Sequence, residues 1–144
     1  MITIGYTYLI DAAAQTTDKT TDSPIAIVRM KRFPMRETFR LACSIVYRVA
    51  EDVHLLLRVR LLNEADEEIA SEHFKMESDR EFRVSPDALD TLHVRLPIDA
   101  LIPSAGTYRF VLEVTDMTKK GTYDEKTWTR DYTFHVVPTS DPGP

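Results

Sequence analysis

Thr38-Phe39-Arg40-Leu41-Ala42-Cys43-Ser44-Ile45-Val46-Tyr47-Arg48-Val49 alternates with a period of two. Successive side chains of a strand point to opposite faces. Phe39, Leu41, Cys43, Ile45, Tyr47 and Val49 therefore face a core, and Arg40, Ala42, Ser44, Val46 and Arg48 face away. Residues 53–62 repeat the pattern, with Val53, Leu55, Leu57, Val59 and Leu61 inward and His54, Arg58 and Arg60 outward. The link Ala50-Glu51-Asp52 is short enough to predict that the two strands form an antiparallel hairpin.

Outward from this pair, the same period predicts strands at 2–10, at 25–32 between Pro24 and Pro34, and at 68–76 after the turn Asn63-Glu64-Ala65-Asp66. Leu92, Val94, Leu96 and Ile98 mark another. Tyr108, Phe110, Leu112 and Val114 mark a seventh, and Trp128, Tyr132, Phe134 and Val136 an eighth. Helical periodicity is nearly absent, and Ser85-Pro86-Asp87-Ala88-Leu89 is the only helix-start signal. About eight short alternating strands predict an all-β fold, a two-sheet antiparallel sandwich of immunoglobulin-like type. A barrel shares this periodicity, which does not separate the two. Residues 1–137 are expected to form one domain. The polar connector Gln15–Ser23 is expected to be mobile, and the tail 138–144 disordered.

The chain has 144 residues, 43% of them hydrophobic, which suits one globular domain and excludes wholesale disorder. A domain of this size buries roughly 68–70% of its unfolded surface without a metal or disulfide staple. The net charge of −5 argues against a charge-driven nucleic-acid binder. The single cysteine cannot form an internal disulfide, which fits a reducing compartment. MITIGYTYLIDAAAQ has no basic start and no uninterrupted apolar run, so it does not read as a leader. No stretch is long and apolar enough for a spanning helix. Asn63, the only asparagine, is followed by Glu64-Ala65 and makes no glycosylation sequon. The expected location is the cytoplasm, with no membrane partner.

Pro103-Ser104-Ala105-Gly106-Thr107-Tyr108-Arg109-Phe110 resembles the turn-then-Tyr start of a late strand in immunoglobulin-like sandwiches. There the tyrosine hydroxyl bonds backbone a few residues upstream. The paired cysteines of antibody domains are missing, so only the architecture carries over. More widely, the chain resembles a family of short, functionally uncharacterised bacterial β-sandwich proteins. The resemblance rests on the early strand, Arg32-Phe33-Pro34, the run His54–Leu62 before an acidic turn, and the late Gly-x-Tyr-x-Phe strand. Many such proteins have glycine in the turn that here reads Glu64-Ala65-Asp66-Glu67. The resemblance implies a sandwich over residues 1–137 and supplies no catalytic residues.

Cys43 has inward parity and reads as a small core hydrophobe rather than a nucleophile. No Gly-x-Ser-x-Gly elbow, phosphate-binding loop or dinucleotide fingerprint is present. His54, His73, His93 and His135 fall on four different predicted strands without metal-ligand spacing, so neither a metal nor a cofactor is implied. The acids of 64–81 lack the alternating pattern and the glycine of a calcium loop, and read as a charged hairpin edge. The opposite character appears at Arg29, Lys31, Arg32, Arg36 and Arg40.

On the expected hairpin, Arg40, Arg48, Arg58 and Arg60 surround Val46 and Leu56 on one outward face. Arginine among apolar residues is favoured at protein interfaces. An ordinary charged sheet face with cross-strand pairs is the plain alternative. The expected function is that of a non-catalytic, intracellular interaction or self-association module using these six residues. The other reading is a small-ligand or carbohydrate site where end loops bring Trp128, Tyr123 and the Thr-rich connector together.

Overall fold

The computed structural model describes residues 2–12, 24–48, 54–77, 89–117 and 127–139. They form eight strands: β1 (Ile2–Ala12), β2 (Ile27–Met30), β3 (Met35–Arg48), β4 (His54–Leu62), β5 (Glu68–Glu77), β6 (Leu89–Ile102), β7 (Gly106–Asp116) and β8 (Thr127–Pro138). One sheet has the order β1-β3-β6 and the other β2-β8-β7-β4-β5. The fold is an all-β sandwich of two separate sheets, not a barrel. The runs β1-β3-β6 and β4-β7-β8 repeat the A-B-E and C-F-G orders of immunoglobulin-type sandwiches.

The expected hairpin between the strands at 38–49 and 53–62 is overturned. β3 pairs with β1 and β6, whereas β4 pairs with β5 and β7 in the opposite sheet. A short link can return a strand beside itself or carry it across the roughly 10 Å between stacked sheets. Both routes keep the same inward parity, so alternation alone does not choose between them. A second departure from the antiparallel expectation is β2, which runs parallel to β8. β1 and β2 run in the same direction but join different sheets, so β2 meets β8 with like polarity.

Where it is described, the inward parity is as read; the side chains of Tyr47, Val49 and Val53 lie outside the described residues. Phe39, Leu41, Cys43 and Ile45 of β3 are buried, as are Leu55, Leu57, Val59 and Leu61 of β4. Tyr108, Phe110, Leu112 and Val114 of β7 and Phe134 and Val136 of β8 complete the filling between the sheets. Glu37, on the inward parity of β3, is also buried, with its carboxylate accepting the Thr38 N–H at 3.0 Å. The expected strand at 25–32 shortens to 27–30. β8 continues through Pro138, and the Thr139 N–H donates to the Met30 carbonyl at 2.8 Å. The connector 15–23, the helix-start signal before Leu89 and residues 140–144 lie outside the described residues.

The tyrosine reading at the β6–β7 turn is met in detail. Tyr108 is buried and its hydroxyl donates to the Ser104 carbonyl at 2.5 Å. Removing that hydroxyl strips a backbone acceptor of its partner. Tyr108→Phe is therefore expected to cost about 1–3 kcal/mol in denaturant unfolding. A change within about 0.3 kcal/mol would show that water already serves the carbonyl.

Candidate functional site

Placing β3 and β4 in different sheets divides the six expected surface residues. Arg40 and Val46 lie on the outer face of the three-stranded sheet, with Arg40 exposed and Val46 half-buried. Arg48 ends β3, opposite Leu89, and its side chain lies outside the described residues. Leu56, Arg58 and Arg60 lie on the outer face of the five-stranded sheet and are half-buried. No single surface holds all six.

On the five-stranded face the arginines are met by acids of the same chain. Arg60 reaches Glu113 at 2.7 Å, and Arg58 reaches Glu68 at 3.3 Å. Arg109 bridges Asp66 at 3.0 Å and Asp131 at 3.3 Å. Two of these pairs are diagonal across the ladder: Arg60 faces Val111, two residues from Glu113, and Arg109 faces Thr133, two residues from Asp131. The acidic turn does more than keep an edge charged. Asn63 Oδ1 accepts the N–H groups of Ala65 and Glu67, both at 2.9 Å. Glu64 accepts the Thr107 N–H at 2.7 Å, tying the β4–β5 turn to the β6–β7 turn. Asp66 has φ of 58°, a left-handed conformation that glycine takes freely and aspartate tolerates better than most residues.

The three-stranded face is built differently. Its central strand presents the small side chains Ala42 and Ser44, and both are buried although they point away from the core. Tyr6 and Tyr8 of β1 and His93 of β6 form an aromatic group over this strand. The Tyr6 hydroxyl bonds His93 Nδ1 at 2.7 Å, and the two rings stack with centroids 5.9 Å apart. Tyr8 lies 5.2 Å from Tyr6, ring centre to ring centre.

A bulge makes this arrangement possible. The β1–β3 register shifts between Ile4 and Thr7, so Ile4 and Thr7 both oppose inward residues of β3. The Tyr6 N–H, out of the regular ladder, donates to Ser44 Oγ at 3.0 Å. Gly5 leaves room for it, since a Cβ there would overlap Ser44 Oγ. Gly5→Ala should displace that hydroxyl and leave the Tyr6 N–H without its acceptor, a loss of about 1–3 kcal/mol. Adding Ser44→Ala removes the clash, so the double variant should lose less than the sum of the two single losses. Additive losses in chemical denaturation would mean that the two sites do not touch.

Arg40 and Arg95 flank the aromatic group and are exposed, as are Arg36, Pro97, Asp99 and Leu101 on the same face. Tyr6, His93 and Arg95 are absent from the expected site. A glycine inside a strand is the sequence signal for such a bulge, and Gly5 marks the one that sets Tyr6 on this face.

The loop-end reading finds Trp128 half-buried and packed against the core. Tyr123 lies outside the described residues. The flanks of the Thr-rich connector are placed, with Ala12 opposite Phe39 and the Ile25 N–H on the Leu9 carbonyl at 2.7 Å. Residues 118–126 instead leave from the end of β7, where Val114 opposes Trp128.

Cys43 is fully buried, and burial pushes its thiol up to about 12. Among the described residues no group of three or more His, Cys, Asp or Glu could hold a metal ion. No described helix is long and apolar enough to cross a membrane.

No family model and no curated protein matches the sequence. Among solved structures, a glycosyl hydrolase family 2 member from Bacteroides cellulosilyticus DSM 14838 is similar at 12% identity with a TM-score of 0.48. The alignment covers 67% of this chain and 13% of that one. A beta-glucuronidase from glycoside hydrolase family 2 is similar at 10% identity and TM-score 0.48, covering 85% of this chain and 11% of that one. This chain thus spans about an eighth or less of the length of either enzyme. What stands of the resemblance read from the sequence is the β-sandwich itself.

Proposed function

We propose that the protein is a non-catalytic, intracellular interaction module that docks a protein partner on the outer face of its three-stranded sheet. One observation carries this reading. That face exposes tyrosine, histidine and arginine side chains together, at Tyr6, His93, Arg40 and Arg95. Tyrosine and arginine dominate the binding energy of protein interfaces. On the opposite face, Arg58, Arg60 and Arg109 pair with Glu68, Glu113, Asp66 and Asp131. A free cysteine in the core suits a reducing compartment.

The test is affinity capture with three immobilised proteins, each checked for native unfolding behaviour. These are the wild type, Tyr6→Ser with Arg95→Glu, and a Thr133→Glu control on the opposite face. A protein retained by the wild type and the control, and lost by the double variant, is the expected result. Equal retention by all three, or retention by none, would remove this face from the function.

A further inference from the structure

We infer that two copies of the chain associate end to end, through the sandwich end that carries the β2–β3, β4–β5 and β6–β7 turns. These turns share one end because Met30 opposes Pro138, Met35 opposes Ile102, Leu62 opposes Arg109 and Gly106 opposes Val136. The described residues there are 30–36, 62–68, 101–107 and 137–139. Their cations are Lys31, Arg32 and Arg36, all on the β2–β3 side. Their acids are Glu64, Asp66, Glu67 and Glu68, all in or beside the β4–β5 turn. These charged residues are exposed, and so are Pro103, Ser104 and Ala105 of the uncharged turn between the two groups.

Pairing within the chain does not cancel this division. Asp66 meets Arg109 and Glu68 meets Arg58. Glu64 and Glu67 are met by neutral donors, the Thr107 N–H at 2.7 Å and the Asn63 side-chain amide at 3.3 Å. Among the described residues, Lys31, Arg32 and Arg36 make no ion pair. Of the acids nearest to them, Glu37 is turned inward and buried, and Asp99 accepts the Thr38 hydroxyl.

Strand order sets the spacing. β4 and β5 stand three and four places from β2, about 14–19 Å at the separation of neighbouring strands. A two-fold axis through the β6–β7 turn therefore lays the basic side of each copy on the acidic side of the other. Such a contact is made twice and closes at the dimer. The end is only about 19 Å wide and two sheets deep, roughly 10 Å. The dimer is therefore of the small, reversible class. It leaves the outer face of the three-stranded sheet open, so it stands or falls separately from the docking reading.

The test is sedimentation equilibrium up to millimolar protein, at low and high salt. The samples are the wild type, Lys31→Glu with Arg32→Glu, Ala65→Lys with Glu67→Lys, and an equimolar mixture of these two variants. Lys31→Gln with Arg32→Gln removes the basic charges without reversing them, and each variant is first matched to the wild type in urea unfolding. The wild type should dimerise at low salt and dissociate at high salt. Plain repulsion between chains of net charge −5 would give the opposite trend. Each variant alone should associate at least about tenfold more weakly. The lysine variant is the stricter case, because it lowers the overall negative charge. The mixture should recover dimers, since each reversed patch then meets its opposite. A wild type that stays monomeric at low salt, or grows beyond the dimer, overturns the inference. So does undiminished association of any variant, or a mixture that associates no better than its parts.

Discussion

Phe39→Ala is expected to lower the unfolding free energy by about 3–5 kcal/mol, the range for emptying a large aromatic site in a packed core. Phe39 comes from the three-stranded sheet and has no exposed surface. Its ring centre lies 5.7 Å from Phe110, edge-on, and 5.5 Å from Phe134, both from the five-stranded sheet. Phe110 and Phe134 stack at 5.1 Å, and Tyr108 stacks on Phe134 at 6.0 Å. Alanine removes the ring that joins this cluster from the other side, so the loss combines transfer, cavity and ring–ring contacts. Phe39→Leu should cost clearly less, because most of the volume remains. Urea unfolding with an unchanged slope and a midpoint lowered in that order is the check. A Phe39→Ala loss below about 1 kcal/mol would mean that the sheets do not close on this ring.

The second large effect appears at alkaline pH. The Cys43 thiol ionises at about 12 in the folded chain against 9.0 for an ordinary one, because burial penalises the thiolate. With the folded value raised, the native state favours the protonated thiol. Its stabilisation is complete below pH 9 and is lost as pH climbs towards 12. Three pH units correspond to roughly 4 kcal/mol as an upper bound. Wild type and Cys43→Ala should differ by a constant cavity term below pH 9 and converge, or cross, above it. Parallel stability curves through that window would show that the thiol is not desolvated. Native protein should likewise resist thiol reagents until it unfolds.

The two outcomes draw on what alternation reveals well. Leu55, Leu57, Val59 and Leu61 are inward because a strand has no other way to bury one apolar set. Alternation is silent about which sheet a strand joins, and the three residues Ala50-Glu51-Asp52 fit a reversal as readily as a crossing. The candidate surface failed to hold together for that reason. Arg40 and Arg58 each point outward as read, but outward from opposite sides of the sandwich. Tyr6 escaped for a different reason, since it shares its parity with Ile4 and only the bulge at Gly5 separates their faces. The acidic turn was legible as a turn. Its tie from Glu64 to Thr107 depends on two turns that sit at one end only after the whole chain has folded.

The pairing of β2 with β8 sets an order in time. During synthesis β3 emerges soon after β1, and β5 directly follows β4, so those ladders can close early. Among the described residues β2 has a single ladder partner, and the Tyr132–Ile25 hydrogen bond beside it spans 107 residues. Until β8 is made, Val28 and Met30, fully buried in the folded sandwich, lack the strand that β2 pairs with. Contacts so distant in sequence form slowly, and exposed strand edges invite pairing with other chains. The nascent chain is therefore exposed to aggregation in the interval between β2 and β8, and the pairing of β8 with β2 closes that interval.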